Sequence, residues 1–285
     1  MKKVLYGLVI SSLLLSCRSN TKKTDKDSVA NNSQTDQTQQ IIKKFKPIIQ
    51  GVWVKSDYID EVAKTKSPLK AFSKASPITT MIIETEFVKG DSILIDIGYG
   101  NHEGGNLLIK FHPGHSISSI MAYTPGGNIE NSFYELKYSI SKDTTLTLYT
   151  YNERKKLVDS AHYFKAFNST HVKELGYATN YMVNKALKLG AYTLIDTLNH
   201  ASKISFTQDG NVSGLSDFKT FYINIDFTTP PNNLDEIIFD LYSKKQKSYA
   251  FNIDADTLKL FETFLSKDSI DLVLSKLKYK LVKNK

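Results

Sequence analysis

The chain has 285 residues, 41% of them hydrophobic and 23% charged, so it is long enough for two ordinary globular domains. Its 37 basic and 29 acidic residues give a formal charge of +8, a mild excess that forms no block of like charges, and we therefore set nucleic-acid binding aside. A single cysteine excludes an internal disulfide.

The first 16 residues have the layout of a secretory signal. Two lysines precede an apolar run from Val4 to Leu15, which is too short to span a bilayer as a helix. The sequence Leu14-Leu15-Ser16-Cys17 resembles the lipobox of bacterial lipoproteins, and this resemblance implies that Cys17 is acylated after cleavage in front of it. We expect a signal peptide at 1–16 and a lipid anchor at Cys17. The alternative is an ordinary signal peptide with an incidental cysteine.

The segment that follows the cysteine is polar. With almost no bulky apolar residues, it is predicted to be a flexible tether over 17–46. Arg18 stands where an aspartate retains some lipoproteins in the inner membrane, so the resemblance favours the outer membrane. Whether the protein faces the periplasm or the cell surface stays open.

From about Ile41 the chain becomes globular in composition, and many of its segments alternate apolar and polar residues with the period of half-buried strands. In "DSILIDIGYG" the side chains of Ile93, Ile95 and Ile97 share one face, and turn sequences such as "VKGDS" and "TQDGN" separate similar segments. Closely spaced strands with short turns indicate an antiparallel barrel or sandwich. The fold class is therefore mainly β.

Two segments of the chain resemble each other. "IIQGVWVKSDYID" near the start of the first matches "KLGAYTLIDTLNH" in the second, and their last strands also correspond. This predicts a first β domain at 47–169, a linking helix at 170–189 and a second β domain at 190–285. The alternative is one larger barrel built from both halves.

The tripeptide Gly51-Val52-Trp53 opens the first predicted strand, and about eight strands follow it. This arrangement resembles the Gly-x-Trp signature of lipocalins and of lipocalin-like domains in bacterial lipoproteins. The resemblance implies two lipocalin-like barrels. It also implies that Trp53 closes the bottom of the first barrel beneath an arginine near its last strand, which assigns that role to Arg154. In the second segment Tyr192 stands in place of the tryptophan.

The loop "GYGNHEGGN" contains the best candidate for a polar site. Its glycines lack the spacing of a dinucleotide motif, but His102 and Glu103 could form an acid–base pair or a binding contact at the mouth of a barrel. His112 and His115 offer two imidazoles, yet a strand of roughly 20 Å separates them from His102. No metal site and no catalytic residue is assigned.

Three hypotheses for function follow. The leading one is a lipid-anchored envelope lipoprotein that binds or carries a small apolar or amphipathic ligand, which a large internal cavity would favour. The second is a non-catalytic interaction or structural module with filled barrels and an exposed apolar patch that engages another envelope protein. The third is a hydrolase or isomerase that uses His102 and Glu103 in a concave pocket. No cofactor is expected, and the membrane is reached through Cys17.

Overall fold

The computed structural model describes residues 26–124, 133–169, 174–195 and 201–284. The predicted signal peptide and Cys17 lie outside these ranges. Residues 38–285 form one compact unit, and the described residues that precede it, 26–37, are helical. Within the described ranges, no helix has the length and apolarity needed to cross a membrane.

The first part of the chain contains a helix, eight strands and two short helices inserted after the first strand. The elements are α1 (Lys26–Ile49), β1 (Gly51–Lys55), α2 (Ser56–Thr65), α3 (Pro68–Ala71), β2 (Ile78–Ile83), β3 (Ser92–Tyr99), β4 (Glu103–Pro113), β5 (Ser119–Tyr123), β6 (Phe133–Ile140), β7 (Thr144–Tyr151) and β8 (Leu157–Phe167). Single 3₁₀ turns cover Phe72–Lys74 and Thr85–Phe87.

These eight strands form a closed antiparallel barrel in which each strand pairs with the next and β1 pairs with β8. The predicted alternation is confirmed in β3, where Ile93, Ile95 and Ile97 are buried while Leu94 between them is 54% exposed. The barrel interior is packed with side chains from every strand, including the fully buried Phe111, Leu136 and Leu146. A filled interior of this kind is one of the two outcomes expected for eight strands.

The last turns of helix α1 pack into the barrel core, which differs from the predicted tether. Ile42, Phe45 and Ile49 are buried in the barrel core. Their spacing of three and four residues puts them on one helix face, a period that the polar composition of 17–46 conceals. The part of the chain that packs with the barrel therefore begins before residue 47.

The second part of the chain repeats the same plan of one helix followed by eight strands. The elements are α4 (Leu175–Ala186), β9 (Ala191–Ile195), β10 (Ala201–Phe206), β11 (Val212–Ser213), β12 (Phe221–Ile223), β13 (Glu236–Phe239), β14 (Lys247–Asp254), β15 (Thr257–Leu265) and β16 (Leu272–Lys283). The first strand again pairs with the last.

The second sheet curves like a barrel, but its two end strands are not paired along their length. Its order runs from β11 through β9 and β16 to β12, and the two end strands share only an isolated bridge between Asn211 and Thr220. Its inner face is aromatic, with Phe206 edge-on to Phe221 at 5.1 Å. The prediction of a mainly β fold with two barrel-like units is confirmed.

Helix α4 is hydrogen-bonded to both sheets. Thr179 and Thr80 of β2 share a buried hydrogen bond of 2.6 Å, and Asn180 donates to the carbonyl of Ile223 in β12 at 2.7 Å. One apolar cluster includes Val52 and Val54 from the outer face of the barrel together with side chains inside the second sheet. The linking helix is therefore a brace between the two sheets.

Candidate functional site

A groove of about 500 Å³ lies along α4, where the second sheet leaves its end strands unladdered. Asn180 and Asn184, one helical turn apart, span the two sides of this opening. Asn180 donates to Ile223 of β12 as described, and Asn184 donates to the carbonyl of Gln208 in the turn between β10 and β11 at 2.9 Å. The two sides are also joined directly, because the backbone N–H of Phe221 donates to the carbonyl of Gly210 at 2.7 Å.

Aromatic side chains line this groove. Tyr177 and Tyr181 project from α4, with ring centroids 6.3 Å apart, and Tyr222 and Tyr242 come from the region of β12 and β13. Burial, followed by nearby charge, raises the pKa of Tyr222 to about 12. Its hydroxyl therefore stays protonated at neutral pH and can donate a hydrogen bond. Tyrosine combines an apolar ring with such a polar tip, which suits the contact surface of a binding site.

Tyr242 is the most unusual residue of the groove. Its side chain is 94% exposed, and its backbone φ is +64°, in the left-handed region that bulky residues rarely adopt. Its backbone N–H donates to the Oε1 atom of Gln246 at 2.9 Å, which holds the turn. A strained residue that presents an aromatic ring to solvent at the edge of a groove points to a binding role.

Polar side chains also line the groove. Asn184 is almost fully buried, and its Oδ1 atom has no hydrogen-bond donor. Leaving such an acceptor unpaired costs ~1–3 kcal/mol. Asn224 accepts a hydrogen bond from the backbone N–H of Asp226 through Oδ1, at 3.2 Å. Two carboxylates, Glu174 and Asp209, complete the polar lining.

The predicted His102 and Glu103 lie at a second, smaller cavity of about 220 Å³, which shares Gly176 with the groove. His102 Nε2 is 3.9 Å from Glu103 Oε1, but its closer partner is Asp226, with Nδ1 2.7 Å from Oδ2. Thr228 Oγ1 is 2.8 Å from the same nitrogen. The loop of the barrel is thus bonded to the second sheet.

The His102–Asp226 pair shifts the pKa of both groups. The hydrogen bond to Asp226, and then the charge of that carboxylate, raise the pKa of His102. Partial burial acts to raise the pKa of Asp226, but hydrogen bonds from His102 and Thr228 outweigh it and hold that pKa below its usual value. The pair is therefore favoured in its charged form.

Two of the hydroxyls that line the smaller cavity bond to each other. Thr80 and Thr179 face it, and they form the 2.6 Å hydrogen bond described above. The hydroxyl of Thr228 also bonds to Asp226 Oδ1, at 2.7 Å. The Thr80–Thr179 bond joins the barrel to α4, and Asp226 and His102 engage the hydroxyl of Thr228.

The residues of the Gly-x-Trp signature lie at the seam of the barrel. Trp53 is fully buried, and its Nε1 donates to the carbonyl of Ile49 at 2.7 Å. The cation above its ring is Lys165, whose Nζ is 4.8 Å from the ring centroid, and the two residues are opposite each other in the β1–β8 pairing. Arg154, to which the resemblance assigned this place, lies exposed in the turn between β7 and β8.

The backbone at position 51, at the same seam, requires a glycine. Its φ is +127°, and a Cβ added there would lie 2.6 Å from the carbonyl oxygen of Phe167 in β8. Gly190, its counterpart ahead of β9, has open space around it. Tyr192 is nonetheless buried on the first strand of the second sheet, as Trp53 is on the first strand of the barrel.

The two histidines of "HPGH" bind different carboxylates. His112 Nε2 is 2.7 Å from Asp91 Oδ2, whereas His115 Nδ1 bonds to the buried Glu135. Across the described ranges, no group of three or more histidine, cysteine or acidic side chains is placed to hold a metal ion.

A scan of the chain against models of protein families, a search of curated proteins and a search of solved structures each found no match.

Proposed function

We propose that this protein is a lipid-anchored envelope protein that binds a small amphipathic ligand. Because side chains fill the interior of the closed barrel, we place the ligand site in the tyrosine-lined groove beside α4 instead. The observation that carries the proposal is Tyr242, a strained and exposed tyrosine at the edge of a groove whose volume falls in the range of small-molecule sites. Cys17 would supply the anchor.

Native mass spectrometry of the full-length chain tests this proposal. The protein is purified in mild detergent from a bacterial envelope, and anything bound is extracted and identified. We expect an adduct that is lost on denaturation. An apo mass that persists after incubation with envelope extract would contradict the proposal.

A matched pair of variants connects such an adduct to the groove. Tyr242→Gly removes the ring and also the left-handed strain, so we expect the free energy of unfolding to change by less than ~1 kcal/mol while the adduct is lost. Lys155 has a φ of +56° in the turn between β7 and β8, and Lys155→Gly relieves the same strain far along the sequence from the groove. This control should keep the adduct.

A second candidate function rests on the hairpin formed by β15 and β16. These strands stay paired to Leu265 and Leu272, beyond the last partner of β14 at Phe261. Phe264, Leu265 and Leu274 in this extension are at least half exposed. An apolar surface of this kind is typical of a contact with another protein, which the interaction-module hypothesis requires.

Cross-linking in the envelope separates this candidate from ligand binding. A Phe264→Ser/Leu274→Ser variant should lose cross-linked partners if the hairpin is an interface. Leu94→Ser on the barrel, which removes an equally exposed leucine, is the control. Equal cross-linking by both variants would contradict the interface.

A further inference from the structure

We infer that the groove beside α4 binds an uncharged saccharide unit. This inference rests on the proposed function and narrows the chemical class of its ligand. It follows from three properties of the lining: its charge, its free hydrogen-bonding groups and its aromatic rings.

The charge of the lining disfavours an anionic ligand. None of the described residues that line the groove is a lysine or an arginine, although the chain has 37 of them. The charged side chains present are the carboxylates Glu174 and Asp209. A fatty-acid carboxylate or a phosphate would therefore enter without a cationic partner and beside like charges, which costs binding free energy.

The free polar groups include both acceptors and donors. Asn180 uses one amide N–H in its bond to the carbonyl of Ile223, which leaves its side-chain oxygen as an acceptor. The side-chain oxygen of Asn224 already accepts a hydrogen bond from Asp226, which leaves its amide N–H groups as donors. The Tyr222 hydroxyl is protonated and can act either way.

A ligand hydroxyl matches this mixture, because it donates one hydrogen bond and accepts others. A quaternary ammonium group such as that of choline has neither an N–H donor nor an acceptor atom, so it would make no hydrogen bond with the Asn180 oxygen or the Asn224 amide.

The aromatic rings supply the apolar half of the recognition. Tyr177 and Tyr181 are inclined to each other by 32° along one side of the groove, and Tyr242 stands at its edge. A pyranose ring has C–H groups on its faces and hydroxyls around its perimeter. It can therefore lie against a tyrosine ring while its hydroxyls reach the amides and carboxylates. The groove volume of about 500 Å³ accommodates a unit of this size.

Saturation-transfer-difference NMR tests the class of ligand directly, because it detects weak binding. The full-length protein in detergent is mixed with four probes: the neutral disaccharides maltose and cellobiose, the cation choline and the anion hexanoate. We expect saturation transfer to the ring C–H protons of at least one disaccharide and none to hexanoate. Tyr242→Gly should weaken disaccharide binding by roughly threefold to tenfold, and Lys155→Gly should leave it unchanged.

Each other outcome overturns the inference. Groove-dependent transfer to hexanoate or choline in place of the disaccharides would show a different ligand class. Transfer to a disaccharide that Tyr242→Gly leaves unaffected would place the sugar elsewhere. No transfer to either disaccharide also rejects the saccharide. In that case a non-saccharide adduct in native mass spectrometry keeps the proposed function, whereas an apo mass rejects both.

Discussion

The contact between Lys165 and Trp53 gives the sharpest test of how the barrel closes. Lys165→Met keeps the length of the side chain but removes the cation 4.8 Å above the indole and the hydrogen bond to the carbonyl of Ile48 at 3.1 Å. The ring contact is worth ~0.5–2 kcal/mol, and the charged hydrogen bond ~1.5 kcal/mol. Burial lowers the pKa of Lys165, so part of this gain is offset by desolvation of its charge. We expect a net loss of ~1–2 kcal/mol in the free energy of unfolding.

Urea unfolding followed by fluorescence provides the assay, since Trp53 is the only tryptophan in the chain. Circular dichroism on the same samples extends the measurement to variants that lack the indole. Arg154→Met is the matched control, and it should change the free energy of unfolding by no more than ~0.5 kcal/mol because Arg154 is exposed.

A double-mutant cycle between Trp53→Phe and Lys165→Met should then give a coupling of ~0.5–1 kcal/mol. Equal losses for Lys165→Met and Arg154→Met, or a coupling of zero, would refute this account of the seam.

Three further predictions concern the brace, the seam and the connection between the sheets. Thr80→Val or Thr179→Val alone strands a buried hydroxyl and should cost ~1–3 kcal/mol, whereas the double variant should cost less than the sum in thermal unfolding. Gly51→Ala should destabilise by more than ~1 kcal/mol, while Gly176→Ala, which meets nothing within 4 Å, should be neutral or slightly stabilising; equal effects would contradict the crowding at the seam. The raised pKa of His102 means that its stabilisation is complete below its ordinary pKa of 6.5 and is lost as pH rises through the folded value. The stability difference between wild type and His102→Gln should therefore shrink from pH 6 to pH 8, and a constant difference would contradict the linkage.

The strands were predictable because their signal is local. An alternation with period two, such as that of Ile93, Ile95 and Ile97, depends only on neighbouring residues and on which face of the sheet is buried. Helix α1 also carried a readable signal in the spacing of Ile42, Phe45 and Ile49. The polar composition around it masked that signal.

The partners within each site were not predictable, because strand pairing brings together residues that are far apart in the sequence. Lys165 lies over Trp53 because β8 pairs with β1, whereas the resemblance to lipocalins pointed to Arg154 instead. His102 and Asp226 are 124 positions apart. The groove combines a helix, a turn and a strand end, and its tyrosines are distinguished from core tyrosines only by their exposure.

Because helix α4 braces both sheets, neither the first nor the second half of the chain contains all the contacts that support its own fold. The order of elements repeats after one helix and eight strands, yet the α4 contacts and the apolar cluster belong to both sheets at once. A chain cut between the repeats would expose Val52 and Val54 on one fragment and an unsupported helix on the other. The two halves of this protein can therefore diverge in sequence, but they cannot be shuffled into other proteins as independent modules.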